Sequence, residues 1–262
     1  MTAQRWTAGP LSPPAAETNT NSRVALVTGG SRGIGAGIAR RLSADGNRVA
    51  FTYTESAHAA SQLVDQIRQD GGTAIAIRAD AALEADVLRS VRETVHQFGP
   101  VDTLVNNAGV GGLHLLDQTS ISDIDRMLAV NVRATILATQ EVLTGMGQGG
   151  RIINIGSVNA DRMPIPGGSI YACTKGAIAG FTRGLARELA PKGITINNIQ
   201  PGPVDTDLNP ATGPQASLML DAMAMARFGS VEEVASLVAF LASPAGAFIT
   251  GTSITIDGGF AA

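Results

Sequence analysis

Short apolar runs alternate with longer stretches of helical periodicity along most of the chain. The runs are Val24–Val27, Val49–Thr52, Ala74–Ile77, Val101–Val105, Ile152–Ile155, Ile194–Ile199 and Ile254–Ile256. Their apolar residues are consecutive rather than alternate, which is typical of strands buried on both faces of a parallel sheet. We therefore predict about seven parallel strands, with helices between them.

Between these runs, apolar residues recur three or four positions apart, as on one face of a helix. Such positions are Ile34, Ile38 and Leu42; Ala60, Val64 and Ile67; Val87, Val91 and Val95; Ile124, Leu128, Val132 and Ile136; Ile178, Phe181, Leu185 and Leu189; and Val234, Leu237, Val238 and Leu241. No repeat or linker divides residues 23–262. The pattern predicts a single-domain α/β fold, a doubly wound sheet with helices on both faces and right-handed crossovers.

The composition is that of a globular protein and narrows its partners. Of the 262 residues, 44% are hydrophobic and 16% are charged, which is enough apolar material for one large core. The net charge of −3 gives no long-range attraction to nucleic acid or to an anionic membrane. No apolar run reaches the roughly 18 residues of a membrane span. Cys173 is the only cysteine, so no internal disulfide is possible and we expect a cytoplasmic protein.

Residues 1–22 differ in composition from the rest of the chain. They contain three prolines and few apolar residues, and they lack the apolar core of a signal peptide. We predict a flexible N-terminal extension before a domain that spans residues 23–262.

A glycine-rich segment, Thr28–Gly35, follows the first predicted strand and opens the first helix. Glycine permits a tight turn and close approach of the backbone to a pyrophosphate, and the helix N-terminus offers free N–H groups. A glycine cluster alone would suit any sharp turn. Its position between a strand and a helix indicates a loop that binds the phosphates of a dinucleotide.

The residues after the second predicted strand bear on which dinucleotide binds. In NAD-binding folds of this kind, an acidic residue at that strand end holds the ribose hydroxyls. Here the segment Phe51–Thr54 has no carboxylate, whereas Arg32 in the glycine loop can meet a 2′-phosphate. Both features favour NADPH over NADH. The alternatives are that Arg32 is an ordinary solvated residue and that Glu55 takes the acidic position.

Tyr171 and Lys175 are four residues apart and therefore lie one turn apart on one face of a helix. Ser157 precedes them, after the fifth apolar run. An ammonium group close to a phenol favours the phenolate, which makes a phenol a better proton donor near neutral pH. The three groups suit proton delivery to a carbonyl oxygen that the serine holds. The alternative is that the Tyr–Lys pair belongs to a solvated helix face, which is the more common case. Cys173 is not expected to be a nucleophile, because no histidine lies near it in sequence to activate it.

Six motifs in sequence order resemble those of the short-chain dehydrogenase/reductase family. They are the Thr28–Gly35 loop, Asp80, Asn106-Asn107-Ala108-Gly109, Asn131, Ser157 with Tyr171 and Lys175, and Pro201-Gly202. The resemblance runs from about Arg23 to the C-terminus. Within the family, the chain resembles bacterial carbonyl reductases. It implies a Rossmann-like fold and hydride transfer from NADPH to a ketone carbon while Tyr171 protonates the oxygen.

The same resemblance implies roles for individual residues. The catalytic residues would be Asn131, Ser157, Tyr171 and Lys175, with Asn131 holding a water that links Lys175 to solvent. The alternative role of Asp80 is that of a helix cap, and the alternative role of Asn107 is that of a turn former. The residues expected to contact NADPH or NADP+ are Gly29, Ser31, Arg32, Gly33, Ile34, Gly35, Tyr53, Thr54, Asp80, Ala81, Asn107, Ala108, Gly109, Tyr171, Lys175, Pro201, Gly202, Val204 and Thr206.

Two segments, residues 159–168 and about 207–227, are expected to shape a mainly apolar substrate pocket. The second mixes proline and glycine with leucine and methionine, which predicts a lid over the substrate. Its methionines equally suit ordinary helix packing. Asp161 and Arg162 are either substrate contacts or solvated loop charges, and His114 is expected at the surface.

Three functions remain open at this point. Resemblance to 3-oxoacyl-carrier-protein reductases is close, but those enzymes often carry a basic cluster that meets the acidic carrier. The corresponding residues 144–151 hold only Arg151, which favours a free ketone as substrate. The segments SVNADRMP and QPGPVDTDLNPATGP resemble a subgroup that includes a bacterial biofilm-dispersal protein binding a cyclic dinucleotide. A nucleotide-binding regulatory protein is therefore the alternative from another class.

The family resemblance also implies a homotetramer in which the helices around Asn131 and Lys175 pack between subunits. The expected small-molecule partner is a ketone or the corresponding alcohol, and neither nucleic acid nor membrane is expected. The three histidines are scattered without metal-ligand spacing, so no metal is expected.

Overall fold

The predicted alternation of strands and helices is present in the computed structural model of the chain, which describes residues 22–213 and 216–262. The strands are β1 (Val24–Val27), β2 (Arg48–Tyr53), β3 (Thr73–Arg78), β4 (Thr103–Asn106), β5 (Arg151–Ile155), β6 (Thr195–Pro201) and β7 (Ser253–Ile256). All pair in parallel in the order β3-β2-β1-β4-β5-β6-β7. The predicted seven-stranded sheet is thereby confirmed. The predicted N-terminal extension lies outside the described residues, apart from Ser22.

Helices link the strands and cover both faces of the sheet. They are α1 (Gly33–Ala44), α2 (Ala57–Gln69), α3 (Glu84–Phe98), α4 (Ile121–Leu128), α5 (Ala134–Val142), α6 (Ser169–Leu189), α7 (Ala216–Asp221) and α8 (Val231–Ala242). Helices α1, α2 and α8 contribute to one apolar cluster, and α3, α5 and α6 to another. These clusters are the two layers of core that a doubly wound sheet requires.

Strand β1 shows how the sheet separates these two layers. Ala25 and Val27 belong to the cluster with α1, whereas Val24 and Leu26 belong to the cluster with α3. Successive side chains of a strand point to opposite faces, and here both faces are buried. This burial explains why the strand sequences are apolar at consecutive positions.

The helical region from residue 121 to residue 142 differs from the single helix that the periodicity predicts. A π-helical turn, Ala129–Arg133, separates α4 from α5. Such a turn inserts an extra residue into a helix and changes which face is buried. Consequently Val130, Ala134 and Ala138 are buried. Of the predicted apolar positions, Leu128 and Ile136 remain 41% and 39% exposed.

The carboxyl ends of the strands carry the segments named in the sequence analysis. The glycine loop follows β1, Asn107 follows β4, Gly156 and Ser157 follow β5, and Gly202 follows β6. The order of the sheet reverses between β1 and β4. Ligands of doubly wound folds bind in the crevice that such a reversal leaves at the carboxyl edge.

Candidate active site

A cleft of about 600 Å³ at this edge brings the predicted site residues together. Ser157 lines it beside all of the residues expected to contact the dinucleotide. These are Gly29, Ser31, Arg32, Gly33, Ile34, Gly35, Tyr53, Thr54, Asp80, Ala81, Asn107, Ala108, Gly109, Tyr171, Lys175, Pro201, Gly202, Val204 and Thr206. Asn131 does not line the cleft but is buried beside it, against Val110.

Backbone geometry explains why the loop between β1 and α1 needs glycine. Gly29 and Gly33 have φ angles of +64° and +53°, a region that side chains rarely allow. A Cβ on Gly35 would lie 2.3 Å from the carbonyl oxygen of Gly29. The N-cap of α1, Arg32, makes no side-chain cap, so the first N–H groups of the helix are available to an anion.

Asn107 and two threonines hold this loop in place. The N–H groups of Asn107 and Ala108 both donate to Thr28 Oγ1 at 3.0 Å. The Asn107 amide donates to the carbonyl oxygens of Thr28 and Gly29, each at 2.9 Å. Gly29 N–H donates to Thr52 Oγ1 at 2.9 Å. The Asn107 side chain therefore shapes the loop, while its backbone lies on the cleft.

The residues that bear on coenzyme choice lie together in the cleft. Arg32, Tyr53 and Thr54 line it, and so does Glu55. Because β2 ends at Tyr53, the position directly after the strand is Thr54, whose hydroxyl donates to the carbonyl oxygen of Ala79 at 3.3 Å. The strand end thus carries no carboxylate, and Glu55 lies two residues beyond it.

Two of the predicted dinucleotide contacts also have structural roles. Asp80 Oδ1 accepts a hydrogen bond from Ala82 N–H at 2.9 Å, whereas the N-cap of α3 is Leu83. The alternative of Asp80 as a helix cap is therefore wrong, and this carboxylate forms a turn instead. A Cβ on Gly202 would lie 2.6 Å from Asp257 Cβ, so packing against the C-terminal turn requires glycine there.

The segment after β6 returns to the glycine loop. Val204 is buried in the core cluster that contains α1 and also lines the cleft. A Cβ on Gly33 would lie 3.5 Å from Thr206 Cγ2. Residues 201–206 therefore form a wall of the cleft that meets the start of α1.

Lys175 and Tyr171 meet the end of β5 within the cleft. Lys175 is only 6% exposed, and its Nζ donates to the carbonyl oxygen of Ile155 at 2.9 Å. The same nitrogen lies 5.6 Å from the centre of the Tyr171 ring. No carboxylate forms an ion pair with it within the described ranges. Burying an ammonium group without a carboxylate partner costs free energy, and buried charges of this kind are typical of functional sites.

The turn after β5 fixes the position of Ser157. Its hydroxyl accepts a hydrogen bond from Asn159 N–H at 3.1 Å and caps the short 3₁₀ turn Val158–Ala160. Ser157 is buried and lines the same cleft as Tyr171 and Lys175. A strand end, a capped turn and one helix face therefore supply the three polar groups.

Asn131 lies inside the π-helical turn, and its side chain joins three elements. Its Oδ1 accepts from Val110 N–H at 2.8 Å, and its Nδ2 donates to the Val110 carbonyl oxygen at 2.9 Å and to Thr174 Oγ1 at 3.0 Å. A Cβ on Gly109 would lie 3.6 Å from both Asn131 Oδ1 and Lys175 Nζ. Asn131 thus holds the loop after β4 and the helix of Lys175 together.

Sequence reasoning missed several residues of the cleft. Arg126 precedes Val130 by one helical turn, and that spacing could have indicated a shared face. Phe260 lies far along the chain from every motif, and no local pattern signals its presence. The other cleft residues that were not predicted are Glu55, Ser56, Val110, Gly111, Val130, Ile155, Gly156, Val158 and Pro203, whereas Asn159, Asp207, Leu208, Asn209 and Met219 belong to the two segments expected to shape the pocket.

The other features considered in the sequence, a reactive cysteine, a metal site and a membrane span, gain no support from the described residues. Cys173 is exposed on α6. Within residues 22–213 and 216–262, no three His, Cys, Asp or Glu side chains cluster as metal ligands would. None of the helices in these ranges is long and apolar enough to span a membrane.

Comparison with known proteins agrees with this combination of fold and cleft. Residues 29–261 match the family model described as enoyl-(acyl carrier protein) reductase. The cyclic-di-GMP-binding biofilm dispersal mediator protein of Escherichia coli K12 is 46% identical over 92% of this chain and 98% of its own. The 3-oxoacyl-[acyl-carrier-protein] reductase of a Synechocystis species is 40% identical, with coverage of 92% and 98%.

A solved structure agrees as well. The short-chain dehydrogenase of Burkholderia cenocepacia in complex with NADP is 49% identical and superimposes with a TM-score of 0.91, over 93% of this chain and all of the other. The doubly wound fold and its glycine-loop cleft define a dinucleotide-binding oxidoreductase. This chain belongs to the short-chain dehydrogenase/reductase family, as its motifs predict.

Proposed function

We propose that the protein is an NADPH-dependent ketone reductase acting on a small or medium-sized ketone. The observation that carries this proposal is that Ser157, Tyr171 and Lys175 share one cleft with the glycine loop. When bound, NADPH supplies the hydride that reaches the ketone carbon. The protein supplies orientation, exclusion of water and the proton.

The loops of the cleft fit a dinucleotide. Gly29 and Gly35 line the cleft and pack too closely against neighbouring atoms of the protein to carry a side chain, and the start of α1 offers uncapped N–H groups to a pyrophosphate. Val204 and Thr206 would hold the nicotinamide end, and Lys175 its ribose. Arg32, without a carboxylate at the end of β2, supports NADPH over NADH.

Each polar group has one role in the proposed reaction. The Ser157 hydroxyl holds the substrate oxygen, and the Tyr171 phenol gives it a proton. The Lys175 ammonium, close to the Tyr171 ring, favours the phenolate that this transfer leaves behind. Asn131, tied to Val110 and Thr174, keeps the helix of Lys175 in position.

A free ketone fits this surface better than a carrier-bound acyl group. Arg151 is the single basic residue of residues 144–151, and it is 6% exposed. Its Nη1 donates to the carbonyl oxygens of Gly149 and Gly150 at 2.9 and 3.1 Å. It is therefore not available to an acidic carrier. The identity to a 3-oxoacyl-carrier-protein reductase keeps that activity as the alternative.

The direct test is a screen of NADPH oxidation with cyclic, bicyclic, aromatic and β-keto ester ketones. We expect ketone-dependent oxidation with at least one class, and faster oxidation with NADPH than with NADH. An acyl-carrier-bound β-ketoester is included, and a strong preference for it would replace the free ketone. No ketone-dependent oxidation with any substrate would contradict the proposal.

A second candidate function is binding of a cyclic dinucleotide, because a 46% identical relative is described as a cyclic-di-GMP-binding protein. Calorimetric titration with cyclic di-GMP tests it, with and without NADPH. Binding at micromolar concentration that NADPH abolishes would support a regulatory use of the same cleft. Absence of binding at that concentration would remove this candidate.

We further propose a homotetramer with α6 at a subunit interface. Gly176, Gly180 and Gly184 recur every four residues along α6, and a Cβ on any of them would meet nothing within 4 Å. Each glycine costs a helix about 1 kcal/mol relative to alanine, with no gain inside this chain. Close approach of another subunit would account for them.

A further inference from the structure

The last residues of the chain form a rigid turn at the cleft. Asp257 Oδ1 accepts from Gly259 N–H at 3.0 Å, and its Oδ2 accepts from Ala261 N–H at 2.8 Å. Gly258 and Gly259 have φ angles of +61° and +79°, which glycine allows at no steric cost. The direction in which Phe260 leaves this turn is therefore fixed by the backbone.

This turn places Phe260 between the residue after Ser157 and the predicted lid. Phe260 is 5% exposed, lines the cleft and clusters with Val158 and Met223. Val158 directly follows Ser157, and Met223 lies two residues after the end of α7 in the predicted lid. The ring thus forms a wall beside the residue proposed to hold the substrate oxygen.

Arg162 holds Phe260 from outside the cleft. Its Nη1 donates to the carbonyl oxygen of Phe260, and its guanidinium carbon lies 5.7 Å from the centre of the ring. Arg162 makes no ion pair with any described residue and is otherwise exposed on the loop after β5. The sequence did not indicate this contact, in which Arg162 binds the C-terminal turn 98 residues away.

Gly111 and Met219 complete the part of the cleft near Tyr171 and Phe260. Gly111 lines the cleft, and a Cβ there would lie 3.6 Å from Cδ2 and Cε2 of the Tyr171 ring. Gly111 has no side chain to cover the Tyr171 ring there, and Phe260 and Met219 line the same cleft, so the Phe260 ring and the Met219 thioether are both available to a flat apolar group. Aromatic rings and thioethers interact favourably with such a group.

We propose that Phe260 determines substrate specificity and that Arg162 is its positioning residue. The favoured substrates are ketones that carry a flat apolar ring, aromatic or alicyclic, next to the carbonyl group. This inference rests on the proposed reductase activity and adds the class of ketone. It also makes the C-terminal turn part of the site.

The first test compares kcat/KM for an aryl ketone with kcat/KM for an open-chain aliphatic ketone of similar size. Phe260→Ala is expected to lower the ratio at least tenfold, mainly through KM of the aryl ketone, because the stacking wall is lost. Phe260→Leu keeps an apolar wall, so its ratio is expected to lie between those of the wild type and Phe260→Ala. The dissociation constant of NADPH should change less than about twofold. An unchanged ratio in both variants would overturn the proposal.

The second test is a double-mutant cycle. Arg162→Gln should lower the same ratio about threefold in the wild-type background and leave it unchanged in the Phe260→Ala background, because Arg162 acts through the ring. Arg68→Gln removes an exposed charge from α2 and serves as the control. Equal effects of Arg162→Gln in both backgrounds would show that Arg162 does not act through Phe260.

Failure of the reductase proposal has a separate signature. If no ketone is turned over, binding of the aryl ketone to the protein–NADP+ complex is measured by calorimetry. Binding that Phe260→Ala weakens tenfold would support the pocket without the reaction. Binding equal in wild type and Phe260→Ala would contradict the pocket itself.

Discussion

Arg32 immediately precedes α1 and lines the cleft, where a 2′-phosphate would carry nearly two negative charges. A hydrogen bond between charged partners contributes about 1.5–3 kcal/mol. We therefore expect Arg32→Ala to raise KM for NADPH by about 10- to 100-fold and KM for NADH by less than about threefold. Steady-state kinetics with both coenzymes measure this. Equal effects on the two would contradict the role of Arg32 in coenzyme choice.

At the level of single residues, sequence reasoning reached those whose role depends on local spacing. Tyr171 and Lys175 share a face because they are one helical turn apart, and Gly29 and Gly35 belong to one loop. Phe260 and Arg162 could not be found in this way. Their contact joins a loop and a turn 98 residues apart, and only the packing of the whole chain creates it.

At the level of elements, the π-helical turn depends on Asn131. Removing its amide would leave Val110 N–H, the Val110 carbonyl and the Thr174 hydroxyl without these partners. We expect Asn131→Ala to lower the free energy of unfolding by about 1–3 kcal/mol, measured by urea denaturation. Asn159→Ala is the control, because this asparagine lies in the cleft but its side chain makes no hydrogen bond to a described residue. A loss below about 0.5 kcal/mol in Asn131→Ala would contradict the view that Asn131 holds the loop after β4 and α6 together.

The start of α8 provides a prediction for pH. Glu233 accepts hydrogen bonds from Arg227 at 2.7 and 2.9 Å and from Ser230 N–H at 2.8 Å. The Arg227 guanidinium, followed by the Ser230 N–H group, lowers the pKa of Glu233 from its ordinary 4.5 to about 2. A carboxylate with a lowered pKa stabilises the fold fully above its unfolded pKa, and this contribution is lost as the pH falls through its folded pKa.

Glu233→Gln is therefore expected to be less stable than the wild type at about pH 6, and the difference should shrink between pH 4.5 and about 2. Thermal unfolding of both proteins across this range measures it. Asp65→Asn, at an exposed position on α2, is the control. A Glu233→Gln difference that stays constant down to the lowest pH would contradict the role of this pair.

At the level of the whole molecule, α6 is expected to pack against another subunit. Gly180→Arg places a long charged side chain where this chain leaves open space, so the fold should be retained. We expect the tetramer to dissociate, as measured by sedimentation velocity. Gly145→Arg makes the same change at another open, exposed glycine, and this variant should remain a tetramer like the wild type. A tetramer that persists in Gly180→Arg would exclude α6 from the interface.

The fold as a whole was largely predictable because the central strands β1, β4, β5 and β6 are buried on both faces and therefore are rich in consecutive apolar residues. The boundaries shifted by one or two residues, as at β2 and β4. The exposed face of α4 and α5 was not predictable. The π-helical turn there serves the hydrogen bonds of Asn131 rather than apolar periodicity. Local pattern thus indicated the architecture, whereas contacts between distant segments set the details of the pocket.

The central claim is that Tyr171 delivers the proton while the rest of the cleft holds the dinucleotide. Its most direct test is Tyr171→Phe, assayed for turnover of the best ketone and, separately, for binding of NADPH by fluorescence. We predict a loss of kcat of at least about 100-fold with the NADPH dissociation constant changed less than about twofold. Turnover retained within about threefold of the wild type would contradict the account.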